Sequence, residues 1–599
     1  MYVSRTRDFS LLTQSLTRAG LSALLTALIF SLTPSAQAVG SWTPLVRQAP
    51  DYIGTMLLLT DGTVMAQGAS GTNNDGASKH WFKLTPDASG SYVTGTWTQL
   101  ADMHHERLYY ASTVLRNGKV FIAGGEYTEA GGVDTNTAEV YDPVADAWTE
   151  IPGPPGWAYI GDAPVKTLFD GTVLLGDIFG NRQGRYDYTT NTWTSGGDKN
   201  VQCSEESWAL LPDQSVLTVD TDNPPFAERY LPANNTWISA GRTPVDVVQT
   251  SSHEIGPAVL LPSGKCLFVG ATGHTAVYDY TNPASPWMIG PDFPADGSDI
   301  PSALLEAKDA PGCLLVNGKV LCLVAPHGDG GAYPNGQQFF EYAPDSSGGT
   351  LTAAPDAGLD SDKTPAFTGR MLALPNGQVL YSNFNTQLAV YTPDSGPNPA
   401  WKPFVSGVSA NTDGSYQVSG TQFNGLSEGA YYGDDASMST NYPLVRLTDG
   451  SGAVTYTRTF DHSTMGLATG SLPVSTNFTA PPPGAYQLQV VANGIASDPV
   501  SLTVPLELVS LTVPSPAAGG TVVTATVRLN GVAPADTVMG LSSSDSSVVR
   551  VHRAVVVPAG SSSATFAITT YRSQGTRTVT IRATLGSVVL TKPLTITGG

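Results

Sequence analysis

The chain has 599 residues, too many for a single core, and combines 63 Gly and 44 Pro with only 13 % charged residues. Abundant Gly, Thr, Val, Ser and Tyr with few Lys and Glu suit pleated sheets and tight bends, so an all-β class is expected. The net charge of −20 repels phosphate backbones and anionic lipid, which argues against a nucleic-acid partner.

Residues 1–38 read as a secretory signal peptide. Arg5, Arg7 and Arg18 precede an apolar run over 21–32 (LSALLTALIFSL), and Ala36-Gln37-Ala38 supplies a small-residue cleavage site. The run falls short of the ~20 residues a spanning helix needs, so the mature chain is expected to carry no transmembrane segment. Loss of these three Arg together with Asp8 leaves the chain two charges more negative. A secreted or cell-surface monomer is expected.

Trp42, in SWTPL, opens the mature chain. A hydrophobic run, a turn and a second hydrophobic run then recur seven times, first as MLLLTDGTVMAQG and next as TVLRNGKVFIAGG. The turns are Asp61-Gly62, Asn117-Gly118, Asp170-Gly171, Asp213-Gln214, Ser263-Gly264, Asn317-Gly318 and Asn376-Gly377, spaced on average by about 52 residues. Each offers the left-handed backbone of a tight hairpin, except that Gln214 breaks the rule. An aromatic residue and then a Trp follow: Tyr141 and Trp148, Tyr186 and Trp193, Tyr230 and Trp237, Tyr278 and Trp287, Tyr391 and Trp401. Phe82 with Trp97 is a looser copy, and Tyr342 lacks its Trp.

Two strands plus two strands make a sheet that cannot cover its own faces, whereas seven such sheets packed radially can. The reading is a seven-bladed β-propeller over 39–404, with the Trp and Tyr rings packed between sheets. Trp42 sits on an outer strand that fastens the last sheet. Cys203, Cys266, Cys313 and Cys322 match no zinc spacing. Read as a two-residue turn, Asn317-Gly318 places Cys313 opposite Cys322 and predicts a cross-strand disulfide in an oxidising compartment. Two buried free thiols are the alternative, and the pairing of Cys203 and Cys266 stays open.

Behind the ring, 405–505 alternates apolar and polar residues with turns at Asn424-Gly425 and Asp449-Gly450, the texture of an immunoglobulin-like β-sandwich without its Cys pair. Residues 506–599 form a second such stretch, rich in Ser, Thr and Val, with the composition of a spacer or adhesive module.

The period and Gly124-Gly125 resemble kelch repeats. With the leader, the outer Trp strand and the sandwich behind, the chain resembles the galactose oxidase and glyoxal oxidase family. The resemblance covers 39–505. It implies a copper ion on the ring axis, held by a Tyr cross-linked to a Cys, a Tyr-His pair and a His from the sandwich, with an aromatic stacked on the radical Tyr.

In that family the ring ligands lie about nine residues before each hairpin Gly. The same count gives Ile53, Tyr109, Asp162, Glu205, Ile255, Asp309 and Thr368 here. By resemblance Tyr109 stands for the radical Tyr and Tyr127 for its stacking partner, while a count from Trp42 puts Tyr109 at the Cys position and Asp162 at the Tyr position. Phe367-Thr368 replaces the Tyr-His pair, no Cys precedes Cys203, and only His462 matches the sandwich His. Copper-radical chemistry is therefore not expected, and no metal is assigned.

Tyr109, Asp162, Glu205, Asp309 and the neighbours His253 and Glu254 are left at the axial opening, with His462 reaching in from the sandwich. Carboxylates around a well suit a Ca²⁺-like cation, sugar hydroxyls or acid–base work, and solvated loop carboxylates are the bland alternative. The leading expectation is a binding module for carbohydrate or a cell-surface glycan. The rivals are a secreted enzyme, either a divergent oxidase or a carbohydrate hydrolase or lyase, and an adhesive surface protein.

Overall fold

The computed structural model describes residues 39–73, 75–432 and 440–598. The leader expected over 1–38 lies outside the described residues. Among them no helix is long and apolar enough to cross a membrane.

Seven antiparallel sheets follow one another between Ser41 and Thr392. Each of the first six takes four strands in chain order, with the small hairpin Tyr127–Thr128 and Gly131–Gly132 interposed within the second. The seventh takes Gly369–Ala373, Val379–Asn383 and Ala389–Thr392 and borrows Ser41–Pro44 as its outer strand, Trp42 opposite Tyr391. Innermost strands touch from sheet to sheet: Gly369–Ala373 lies against Ile53–Leu58, and that strand against Ala111–Val114. The arrangement is β-propeller-like, and almost every residue of the inner strands is buried.

The seven hairpins share one turn, and it is not the two-residue form expected for Asn317-Gly318. In each, a Leu N–H reaches the carbonyl four residues on, as Leu59 to Thr63, Leu315 to Lys319 and Leu374 to Gln378. The first polar residue accepts from the backbone two residues later, as Asn117 Oδ1 from Lys119 N at 3.0 Å. Glycine then occupies the left-handed region, for instance Gly318 at φ 86°. In the fourth copy Gln214 adopts φ 70° itself, and its amide donates to the Pro212 and Leu467 carbonyls at 2.9 and 3.1 Å.

The extra turn residue shifts the register by one. Cys322 pairs with Gly312, and Cys313 with Leu321, so the two thiols point to opposite faces. The expected Cys313–Cys322 disulfide is therefore absent, and all four Cys are buried free thiols. Burial without a charged partner pushes the Cys322 thiol up to about 12.

The aromatic pairs sit directly across adjacent strands: Tyr141 opposite Trp148, Tyr186 opposite Trp193, Tyr230 opposite Trp237 and Tyr278 opposite Trp287. Their ring centroids lie 4.9–5.4 Å apart. Several indoles also fasten their sheet to the one before. Trp148 Nε1 donates to Ala101 O at 2.9 Å, Trp193 to Pro152 O at 2.7 Å and Trp287 to Ala240 O at 2.8 Å. In the seventh sheet Trp42 does this, donating to Pro355 O at 2.8 Å. Trp401, expected as the partner of Tyr391, lies instead in the short 3₁₀ turn Pro399–Trp401.

Beyond Phe404 each tail segment forms two sheets around its own apolar core. The first joins Val405, Val418 and Phe478 to Val445, Leu488 and Val490; the second centres on Val527, Ile568, Ile581 and Leu594. The first segment packs on the hairpin-turn end of the ring. Strand Ala430–Tyr432 also pairs with Pro311–Leu314, the innermost strand of the sixth sheet. Just before it, Glu428 reaches the third and fourth sheets, accepting from Lys166 Nζ at 3.0 Å and Leu210 N at 3.2 Å. The tail thus returns to the ring axis, a long-range pairing absent from the sequence reading.

Candidate functional site

The end of the ring remote from the tail is where the innermost strands begin. Tyr109 precedes Ala111–Val114, Asp162 precedes Val165–Thr167, Glu205 precedes Ala209–Leu210, Glu254 precedes Ala258–Leu260 and Asp309 precedes Pro311–Leu314. All five line one axial cavity of about 230 Å³, together with Glu126, Tyr127, Tyr333 and Phe367. Tyr109, Ser204, His253 and Asp309 adopt φ between 44° and 64° at this rim. Left-handed non-glycine residues cost on the order of 1 kcal/mol or more and persist where the surroundings impose them, often at functional sites.

Two carboxylate groupings face one another. Asp162 is buried and shares a side-chain hydrogen bond with Glu205; burial, and then the Glu126 charge, hold its carboxyl well above the usual range. Glu126 itself rises to about 7, chiefly by burial and then through Asp134 and Glu254. On the other side the Tyr333 hydroxyl bridges Glu254 Oε1 at 2.9 Å and Asp309 Oδ2 at 3.0 Å. One oxygen each from Glu205, Glu254 and Asp309 lie within 4.8 Å of one another. Aromatic edges close the walls, Tyr109 against Tyr127 with centroids 6.0 Å apart and Tyr333 against Phe367 at 5.0 Å.

Tyr109 and Phe367 also bound a second cavity of about 320 Å³, walled by Tyr52, Leu108, Phe384 and Asp75. Its Tyr52 is 54 % exposed. Lys308 is the cation beside the axial carboxylates. Its ammonium is held by the carbonyls of Gly328, Gly330 and Ala332 and lies 4.1 Å from the Tyr333 ring centroid.

Two expected site residues lie elsewhere. His253 turns outward and pairs with Asp222 at 2.8 Å. His462 is fully buried at the opposite end of the second hairpin: its N–H reaches Arg116 O, and its Nδ1 lies 2.8 Å from Thr476 Oγ1. It does not reach into the axial cavity, because the tail docks on the turn side. His104 meets Glu139 and His274 meets Asp292, both away from the axis. Glu126, Tyr333 and Phe367 complete the cavity without having been expected as lining residues. Tyr333 comes from the long Gly-rich loop between the second and third strands of the sixth sheet.

Burial and the charges of Arg116 and Arg458 hold the His462 imidazole down at about 3, well below its ordinary 6.5. The unfolded chain binds this proton more readily, so its contribution is complete above about pH 6.5 and is lost as pH falls toward 3. Between pH 7 and 4.5 the loss from this one group is about 2–3 kcal/mol. Urea titrations are expected to show that slope flattened in His462→Phe, since Thr476 keeps the Phe460 carbonyl as a partner at 3.3 Å.

The copper set implied by the family resemblance does not fit these residues. The donors lining the axis are carboxylate and phenol oxygens, with no imidazole or thiol among them. Cys203 is buried elsewhere beside Gln183, whose amide lies 2.8 Å from its sulfur.

Residues 107–155 match the Kelch motif, and curated relatives support a kelch-repeat, β-propeller-like protein. Among these, Kelch-like protein terF of Aspergillus terreus is 33 % identical over 129 residues, 20 % of this chain and 26 % of the relative. An F-box/kelch-repeat protein of Arabidopsis thaliana is 38 % identical over 208 residues, 33 % of this chain and 41 % of the relative. The chain thus spans well under half the length of these relatives. Among solved structures, an ancestral GH74 enzyme is 11 % identical with a TM-score of 0.36, covering 82 % of this chain and 68 % of its own. A quinonprotein alcohol dehydrogenase-like protein from Bacteroides thetaiotaomicron is 12 % identical with a TM-score of 0.34, covering 51 % and 65 %.

Proposed function

We propose that this chain is an exported, monomeric binding module for carbohydrate or a cell-surface glycan. Its ring is read as a seven-bladed kelch propeller and its tail as two immunoglobulin-like sandwiches. The observation that carries the reading is the convergence of five carboxylates and four aromatic rings in one axial cavity, with an aromatic-walled second cavity alongside. Sugar rings present C–H faces that pack on aromatic side chains and hydroxyls that donate to carboxylates. The aromatic-walled second cavity, about 320 Å³, is of a size that suits a small organic ligand.

Screening the full chain on a glycan array is expected to identify ligands, and Tyr109→Ala with Glu205→Gln is expected to abolish their binding. Glycan binding unchanged by those substitutions would favour the adhesive tail, and no binding to any glycan would overturn the reading. The Asp162–Glu205 hydrogen bond, with Glu126 titrating near neutrality, supports a second reading as a secreted carbohydrate hydrolase or lyase. Release of new sugar ends from a bound glycan, lost in Asp162→Asn, distinguishes it.

A further inference from the structure

We propose that the axial cavity binds a hard divalent cation of the Ca²⁺ class through carboxylate oxygens of Glu205, Glu254 and Asp309. The three residues precede the innermost strands of the fourth, fifth and sixth sheets, so the site forms only where these three neighbouring sheets pack together. Oxygens that share one Ca²⁺ at 2.3–2.6 Å are separated by at most about 5 Å. The three oxygens here lie within 4.8 Å of one another, already inside that limit.

A second observation points the same way. Glu254 is only 6 % exposed and lines the cavity, and its Oε2 has no hydrogen-bond partner, whereas Oε1 is held by Tyr333. A buried carboxylate oxygen without a donor carries an uncompensated desolvation penalty, which a cation would remove. The Lys308 ammonium acts on Glu254 and Asp309 as a nearby charge, while its hydrogen bonds go to backbone carbonyls of the 328–332 loop.

Chemistry selects the class of ion. Carboxylate and phenol oxygens favour Ca²⁺, Mg²⁺ or Mn²⁺ over copper or zinc. A roomy cavity with ligands from three separate loops favours the larger, geometrically tolerant Ca²⁺ over Mg²⁺, which demands a tight octahedron. Ca²⁺ takes six to eight oxygens, so three side chains leave positions for water or for ligand hydroxyls.

The test uses the full chain, stripped with EDTA and exchanged into chelator-free buffer. Calorimetric titration with CaCl₂ alone is expected to give one equivalent bound at the axis, with a rise in melting temperature. Glu254→Gln and, separately, Asp309→Asn are each expected to weaken that binding at least about tenfold. Without Ca²⁺, Glu254→Gln is expected to melt no lower than the parent, which separates a ligand role from a structural one. No heat and no melting shift up to about 10 mM CaCl₂ would overturn the proposal, as would binding untouched by both substitutions. The probe is the ion alone, so its failure leaves the glycan reading standing.

Discussion

Replacing Lys199 by Met is expected to destabilise the ring by about 3–5 kcal/mol, read as a lower midpoint in guanidinium unfolding followed by Trp fluorescence. The Lys199 ammonium is fully buried and paired with Glu206, lies 3.0 Å from Asp220 and 3.9 Å from Glu228, and sits 5.5 Å from the Trp237 ring centroid. Glu206 also accepts from Trp208 Nε1 at 3.0 Å and Thr218 Oγ1 at 3.1 Å. Met keeps the volume and removes the charge, so three buried carboxylates lose their common cation. Burial raises the Glu206 and Asp220 carboxyls above their usual range while the Lys199 charge pulls them down, so removing that cation leaves the burial penalty uncompensated. Adding Glu206→Gln to the Lys199→Met chain is expected to recover part of the loss, because one stranded charge disappears. Glu206 adjoins Glu205 at the axial wall, so Lys199→Met is also expected to weaken axial ligand binding. A stable Lys199→Met protein would refute the account of the cluster.

The contact between tail and hub should respond just as strongly. Glu428→Leu removes the carboxylate from the buried Lys166 ammonium and the acceptor from Leu210 N–H, with an expected cost again of about 3–5 kcal/mol. Lys166→Met alone strands the Glu428 charge and should cost as much. The double replacement exchanges an ion pair for apolar contact and is expected to return to within about 1–2 kcal/mol of the parent. Chemical denaturation of the four proteins closes this cycle. Strict additivity of the two single losses would show that the pair does not act as a unit.

The hairpins were legible because each depends on two adjacent residues with fixed jobs, an Asp, Asn or Ser that accepts from the backbone and a residue tolerating positive φ. Their register was not legible, because Asn317-Gly318 serves two-residue and three-residue loops alike. That single ambiguity separated Cys313 from Cys322. Counting back from the turns by the spacing the family resemblance implies led to Tyr109, Asp162, Glu205 and Asp309 at the cavity wall, since every inner strand enters from the same rim and runs to the same kind of turn. Tyr333, Glu126 and the axial strand Ala430–Tyr432 come from connections whose path depends on contacts far away in sequence, which periodicity does not encode. His462 was misplaced for a related reason, as the side on which the tail docks is a property of the assembled ring.

The sheet built from both chain ends has a consequence for biogenesis. Gly40 N donates to Tyr391 Oη, 351 positions later, and among the described residues Ser41–Pro44 pairs with Ala389–Thr392 of the same late segment. Until that segment has been synthesised, the opening strand must wait with its edge bare while the other sheets take shape. A chain truncated before Ala389 would leave both Ser41–Pro44 and the edge of Val379–Asn383 uncapped, inviting intermolecular strand addition and precipitation.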